Sequence, residues 1–150
     1  MNTALPILVP TDFSRHSQQT VDRALRLREL FPARFLLLHV VISGELDVFA
    51  SLAAEPAETL NRRKAEAEKL MAAELQRCRH QFPGVELNGR VVDGVPFKEI
   101  CRQADQEACK LIVIGTHGRT GLSHLLIGST AERVVQHAAC PVLSIKPATL

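Results

Sequence analysis

The stretch GTHGRTGLSHLLIGST directly follows the apolar run Leu111-Ile112-Val113-Ile114 and carries glycines at 115, 118, 121 and 128. Glycine lets the main chain approach a ligand with no Cβ in the way. Gly128 is followed by Ser129 and Thr130, which open a segment of helical apolar spacing. A helix start presents free N–H groups and a partial positive charge, and both suit phosphate oxygens. The hydroxyls of Ser129 and Thr130 add donors. Arg119 could reach a phosphate or lie in solvent. Taken singly, each feature fits a tight turn or a helix N-cap equally well. Taken together, at the end of a buried strand, Gly115, Gly118, Gly128, Ser129 and Thr130 point to an anion cradle.

Other chemistries lack their residues. There is no G-x-x-x-x-G-K-[ST], no G-x-G-x-x-G after the first strand and no G-x-S-x-G elbow. Ser123-His124 has no aspartate placed to orient the histidine. His117 and His124 are seven apart, a poor spacing for a metal site. Asp12, just after the first apolar run, could accept hydrogen bonds from ribose hydroxyls or cap the next helix.

The elements that must position these residues follow from periodicity. Ile7–Thr11, 34–41, 85–92, 111–114 and 140–145 are predicted strands, the second apolar almost throughout as in a parallel sheet covered on both faces. Helices are predicted between them. The first is capped by Asp12, Ser14 or Ser17, has Val21, Ala24, Leu25, Leu30 and Phe31 on its apolar face and is ended by Pro32. The second runs from about Ala57 to His80, with Leu60, Ala67, Met71, Leu75 and Cys78 inward. The third opens at Pro96, with Phe97, Ile100, Cys101, Ala104 and Ala108 inward. In the last, Ala131, Val134, Val135 and Ala138 line one face, and Ser129 with Glu132 fits an S-x-x-E capping box. Strand 85–92 is the least apolar and is expected at an edge, and residues 42–56 form a loop. The order βαβαβαβαβ predicts one α/β domain over 1–150, an open, mostly parallel sheet with helices on both faces. Such sheets bind ligands at the carboxyl ends of their strands, where strand order reverses. Strands one and four, if neighbours, bring Thr11-Asp12 and Gly115 together there.

Composition narrows the partners. With 18 basic and 16 acidic residues, net charge +2 and no Trp or Tyr, neither nucleic-acid binding nor a base-stacking platform is expected. The basic run NRRK at 61–64 meets Glu66 and Glu68 at once and is expected on a solvated helix face. No apolar run is long enough for a membrane span, and the N-terminus lacks the marks of a secretory signal, so a cytoplasmic location is expected. Cys78, Cys101, Cys109 and Cys140 form no C-x-x-C pair and are expected as buried apolar residues.

The glycine segment has the spacing G-x2-G-x9-G-[ST], from Gly115 through Gly118 to Gly128-Ser129. With ILVPTDFS (7–14), LLLHVV (36–41), DGVPFKEI (93–100), LIVIGTHGRTG (111–121) and GSTAERVV…CPVLSI (128–145), the chain resembles the universal stress protein family over nearly its whole length. The resemblance implies a Rossmann-like fold of the adenine nucleotide alpha hydrolase-like type, with five strands in the order 3-2-1-4-5. It also implies a homodimer paired partly through the last strand, 140–145. In the family's ATP-binding branch, Pro10, Thr11 and Asp12 would sit by adenine and ribose, with Asp12 on the ribose. The main chain of Val40, or of Val41 if the register slips by one, would face the adenine. Ile114, Gly115, Gly118, Gly128, Ser129 and Thr130 would surround ribose and phosphates, with Mg or Mn held mainly through the phosphates. Lys110 stands where the family commonly has aspartate, at the far end of the fourth strand. The expected role is an ATP-loaded stress-response switch. The alternatives are a slow ATPase, in which His117 or Arg119 acts on the γ-phosphate, and a dimeric adaptor with a vestigial site.

Overall fold

The structure is a computed structural model that describes residues 3–43, 56–116 and 127–146. In chain order its elements are β1 (Leu5–Pro10), α1 (Arg15–Leu25), a 3₁₀ turn (Arg26–Glu29), β2 (Ala33–Ile42), α2 (Ala57–Gln81), β3 (Leu87–Gly94), α3 (Pro96–Gln106), β4 (Leu111–Gly115), α4 (Ser129–His137) and β5 (Val142–Ile145). The sheet is parallel with the order β3-β2-β1-β4-β5. The expected order therefore holds, and β3 is an edge.

Strand alternation divides the core between the two faces. Ile7 and Val9 of β1 pack with Val21 and Leu25 of α1 and Met71 and Cys78 of α2. Leu8 points the other way, into Ile100 and Ala104 of α3 and Ala131 and Val134 of α4. Leu8 and Val9 are both fully buried, as a central strand covered by two helical layers requires.

Several packing expectations fail for identifiable reasons. The first helix does not run to Phe31. It stops at Leu25 and tightens into the 3₁₀ turn, where three residues per turn rotate Leu30 outward to 77% exposure. Ala108 is not an inward helical residue. It follows the end of α3 in the left-handed region (φ 51°), exposed, while Cys109 N–H reaches back to the Ala104 carbonyl at 2.8 Å. That is a helix-terminating motif that favours glycine. Ala108→Gly is expected to raise stability by about 0.5–1 kcal/mol in urea unfolding, since alanine is strained there. Val135 is 55% exposed because α4 buries only the narrow stripe of Ala131 and Val134. The final strand begins at Val142, two residues later than expected, after exposed Pro141.

A polar group also lies where periodicity called for carbon. Glu74 on α2 is 4% exposed. Its Oε1 accepts from Arg77 Nη2 at 2.7 Å and its Oε2 from Arg77 Nε at 3.0 Å. Gln18 Nε2 of α1 lies 3.3 Å from Oε2, and Arg77 Nη2 also reaches Asp22 Oδ1 of α1 at 2.9 Å. This network ties α2 to α1.

Candidate functional site

Because β1 and β4 are hydrogen-bonded neighbours, the chain leaving each emerges at the same end of the sheet, where strand order reverses. Two structured turns stand there.

The first follows β1. Thr11 is buried and donates its N–H to the Leu38 carbonyl at 2.8 Å, one last rung on β2. Asp12 Oδ1 accepts from Ser14 N–H at 2.9 Å and from Ser17 Oγ at 2.6 Å, and Ser17 Oγ in turn accepts from Asp12 N–H at 3.2 Å. Ser14, not Asp12 or Ser17, is the N-cap of α1, its side chain accepting from Ser17 N–H. Asp12 thus shapes the turn ahead of the helix. Phe13 has φ 65°, a strained conformation for a bulky side chain, and its N–H is held by Thr11 Oγ1 at 3.1 Å. Its ring lies 4.5 Å from that of His39, whose Nδ1 is 2.8 Å from the Thr11 carbonyl. The carbonyl can only accept, so Nδ1 carries the proton. Periodicity gave no role to Phe13 or His39. The one available sign was a histidine interrupting the apolar run of β2.

The second turn leads into α4. The capping box expected at Ser129 does not form. Gly128 is the N-cap instead, with φ −60° and ψ 150°, and no side chain caps the helix. The cause is long-range: Gly128 N–H donates to the carbonyl of buried Thr116 at 2.8 Å, and the Gly128 carbonyl accepts from Glu132 N–H at 3.0 Å. Ser129 then becomes the first helical residue. The N–H groups of Ser129, Thr130 and Ala131 precede the first intrahelical bond, and the hydroxyls of Ser129 and Thr130 are not used as caps. A Cβ at Gly128 would lie 3.3 Å from the Thr116 oxygen, so the close fit of these two segments favours glycine. Thr116 is fixed in turn by its N–H on the Ile145 carbonyl of β5, at 3.1 Å.

Pro10, Thr11, Asp12, Ile114, Gly115, Gly128, Ser129 and Thr130 therefore share one end of the sheet, and Val40 lies in β2 beside the end of β1. Gly118 and Arg119, with His117 and His124, lie outside the described residues. Lys110 donates its N–H to Pro6 at 2.8 Å, at the opposite end of β4. The donors gathered here are main-chain N–H groups and hydroxyls, a set suited to anionic oxygens.

A cavity of about 320 Å³ opens at the far end of the sheet, among Pro6, Arg34, Leu36, Arg90, Glu107 and Cys109. Arg90 is held there by Glu107 at 2.8 Å and by Gln103 Oε1 at 2.6 Å. With Arg90 already engaged and no helix N-terminus among its lining residues, it is the poorer candidate. Burial pushes the Cys109 thiol up to about 11 and the Cys78 thiol up to about 12, so both stay protonated and behave as small apolar groups. Cys101 and Cys140 are only half-buried.

The model of the universal stress protein family matches residues 4–146. Universal stress protein MJ0531 of Methanocaldococcus jannaschii is 34% identical over 140 residues, which cover 93% of this chain and 81% of that one. The structure of universal stress protein UspA from Lactobacillus plantarum superposes with a TM-score of 0.76 at 28% identity, covering 94% of this chain and 97% of that one. The universal stress protein from Archaeoglobus fulgidus in complex with dAMP shares the fold, with a TM-score of 0.69 at 23% identity over 97% of this chain and 100% of that one.

Proposed function

As this chain belongs to the universal stress protein family, we propose that it is an ATP-binding regulatory protein that acts as a homodimer. One observation carries the reading. The uncapped N-terminus of α4, entered through Gly128, stands at the same end of the sheet as the Thr11-Asp12 turn. A nucleotide presents a sugar to one and phosphates to the other. The dAMP complex of a protein of the same fold supports an adenine nucleotide as the ligand class.

In this reading Asp12 accepts from the ribose hydroxyls, with Pro10 and Thr11 beside the sugar and base and the main chain of Val40 facing the adenine. Ile114, Gly115 and Gly118 line the ribose and α-phosphate. The N–H groups and hydroxyls of Ser129 and Thr130 hold the phosphates beside Gly128, with Arg119 reaching over them. The donor set fits anionic oxygen directly and a divalent cation only through it. Mg²⁺ or Mn²⁺ would thus be held through the phosphates, where it supplies charge neutralisation. The dimer would form through 140–145, where β5 is the sheet edge and Leu143 is 40% exposed.

Calorimetry with ATP and Mg²⁺ tests the reading, which fails if the wild type binds none. Asp12→Ala is expected to weaken ATP and adenosine by the same factor, about tenfold, as loss of hydrogen bonds to a charged group. A loss confined to phosphate-bearing ligands would remove Asp12 from the sugar.

A further inference from the structure

The β1–β2 ladder ends where a side chain meets the main chain. Phe35 N–H bonds Glu86 on the β3 side, while the Leu38 carbonyl receives Thr11 N–H on the β1 side. Main-chain groups alternate sides along a strand, so the N–H and carbonyl of Val40 point toward β1, just past its end. In a continuing parallel ladder the Thr11 carbonyl would accept the Val40 N–H. Instead it is taken by the His39 ring at 2.8 Å, and β1 pairing ends at Pro10↔Leu38. The Phe13 ring lies against the imidazole at 4.5 Å, in a turn that carries its own strain at φ 65°.

We propose that His39 is a positioning residue that withholds the Thr11 carbonyl from Val40, leaving the Val40 main-chain N–H and carbonyl to read the edge of a heterocyclic base. The inference rests on the nucleotide reading above for its ligand and on hydrogen bonding alone for its mechanism. A neighbouring N–H and carbonyl form a donor–acceptor pair that matches a base edge bearing one acceptor and one donor. Phe13 packs on the ring and keeps Nδ1 on its target, and the strain of its backbone is the cost of that placement.

Two readouts separate this role from simple scaffolding. In the wild type the Val40 amide should exchange with solvent faster than the Leu37 and Leu38 amides beside it. In His39→Ala the Thr11 carbonyl is released to Val40, so the Val40 amide should gain at least tenfold protection. Affinity for adenosine and for ATP should fall by a common factor, about tenfold. His39→Asn places an amide donor near the position of Nδ1 and should restore both values. If His39→Ala does not fold, His39→Phe fills the space without the donor and serves the same purpose. A Val40 amide already protected in the wild type would overturn the inference. So would a His39→Ala protein whose β1–β2 amides all loosen with no gain at Val40, or an asparagine variant no better than the alanine one. A wild type that binds neither ligand sinks the nucleotide reading and leaves the exchange measurement standing as the test of the hydrogen-bond role.

Discussion

Gly128→Val is expected to weaken ATP binding at least a hundredfold, about 2.7 kcal/mol, in calorimetry with Mg²⁺ present. The backbone of Gly128 is not the difficulty, because φ −60° and ψ 150° suit any residue. The difficulty is space. A Cβ would already lie 3.3 Å from the Thr116 carbonyl oxygen, the partner of the Gly128 N–H, and the two methyls of valine would add to that crowding. They would also stand at the mouth of the first turn of α4, beside the N–H groups proposed to meet the phosphates. The fold should survive with a loss of about 1–2 kcal/mol, typical of overpacking by a few methyl groups. Affinity within threefold of wild type would place the phosphates elsewhere.

Glu74→Ala should cost about 3 kcal/mol in urea unfolding, as expected when one partner of a buried ion pair is removed. The carboxylate is almost wholly buried and is the acceptor for two Arg77 nitrogens and Gln18. Its hydrogen bonds to Arg77 raise the guanidinium still further above its ordinary value, so removal leaves a fixed charge with Asp22 as its remaining carboxylate. The double variant Glu74→Ala/Arg77→Ala should lose clearly less than the sum of the singles, with a coupling of about 1–2 kcal/mol. Additive losses would mean that the two side chains act independently. Nucleotide affinity should move little, because Glu74 and Arg77 bond to Gln18, Asp22 and Gln81 and to none of the residues proposed to hold the nucleotide.

The sequence made the sheet legible because its central strands are short, nearly all apolar and bounded by Pro, Gly and Asp. Ile7 to Val9 and Ile112 to Ile114 are buried as their composition requires. Strand order came from resemblance, since periodicity says which segments are strands and not which are neighbours. What stayed hidden was decided by partners far along the chain. Ser129 and Glu132 satisfy a local capping rule, yet Thr116, thirteen residues before Ser129, claims Gly128 and moves the helix start by one residue. Glu74 sits on the inward face of α2 because Arg77 and α1 satisfy it there, which no helical period can express. His39 showed only as a break in an apolar run. Its partner, the Thr11 carbonyl, lies twenty-eight positions away.

The strand order has a further consequence for how the chain is made. β1 is synthesised first, yet it occupies the middle of the sheet, between β2 and β4. Until Leu111–Gly115 has emerged, one full side of β1 has no neighbour to bond with, and its apolar residues stand at an open edge. The nascent chain therefore carries an adhesive strand until β4 is available to cover it. The Thr11-Asp12 turn therefore gains its neighbour at the carboxyl end of the sheet only when β4 docks beside β1.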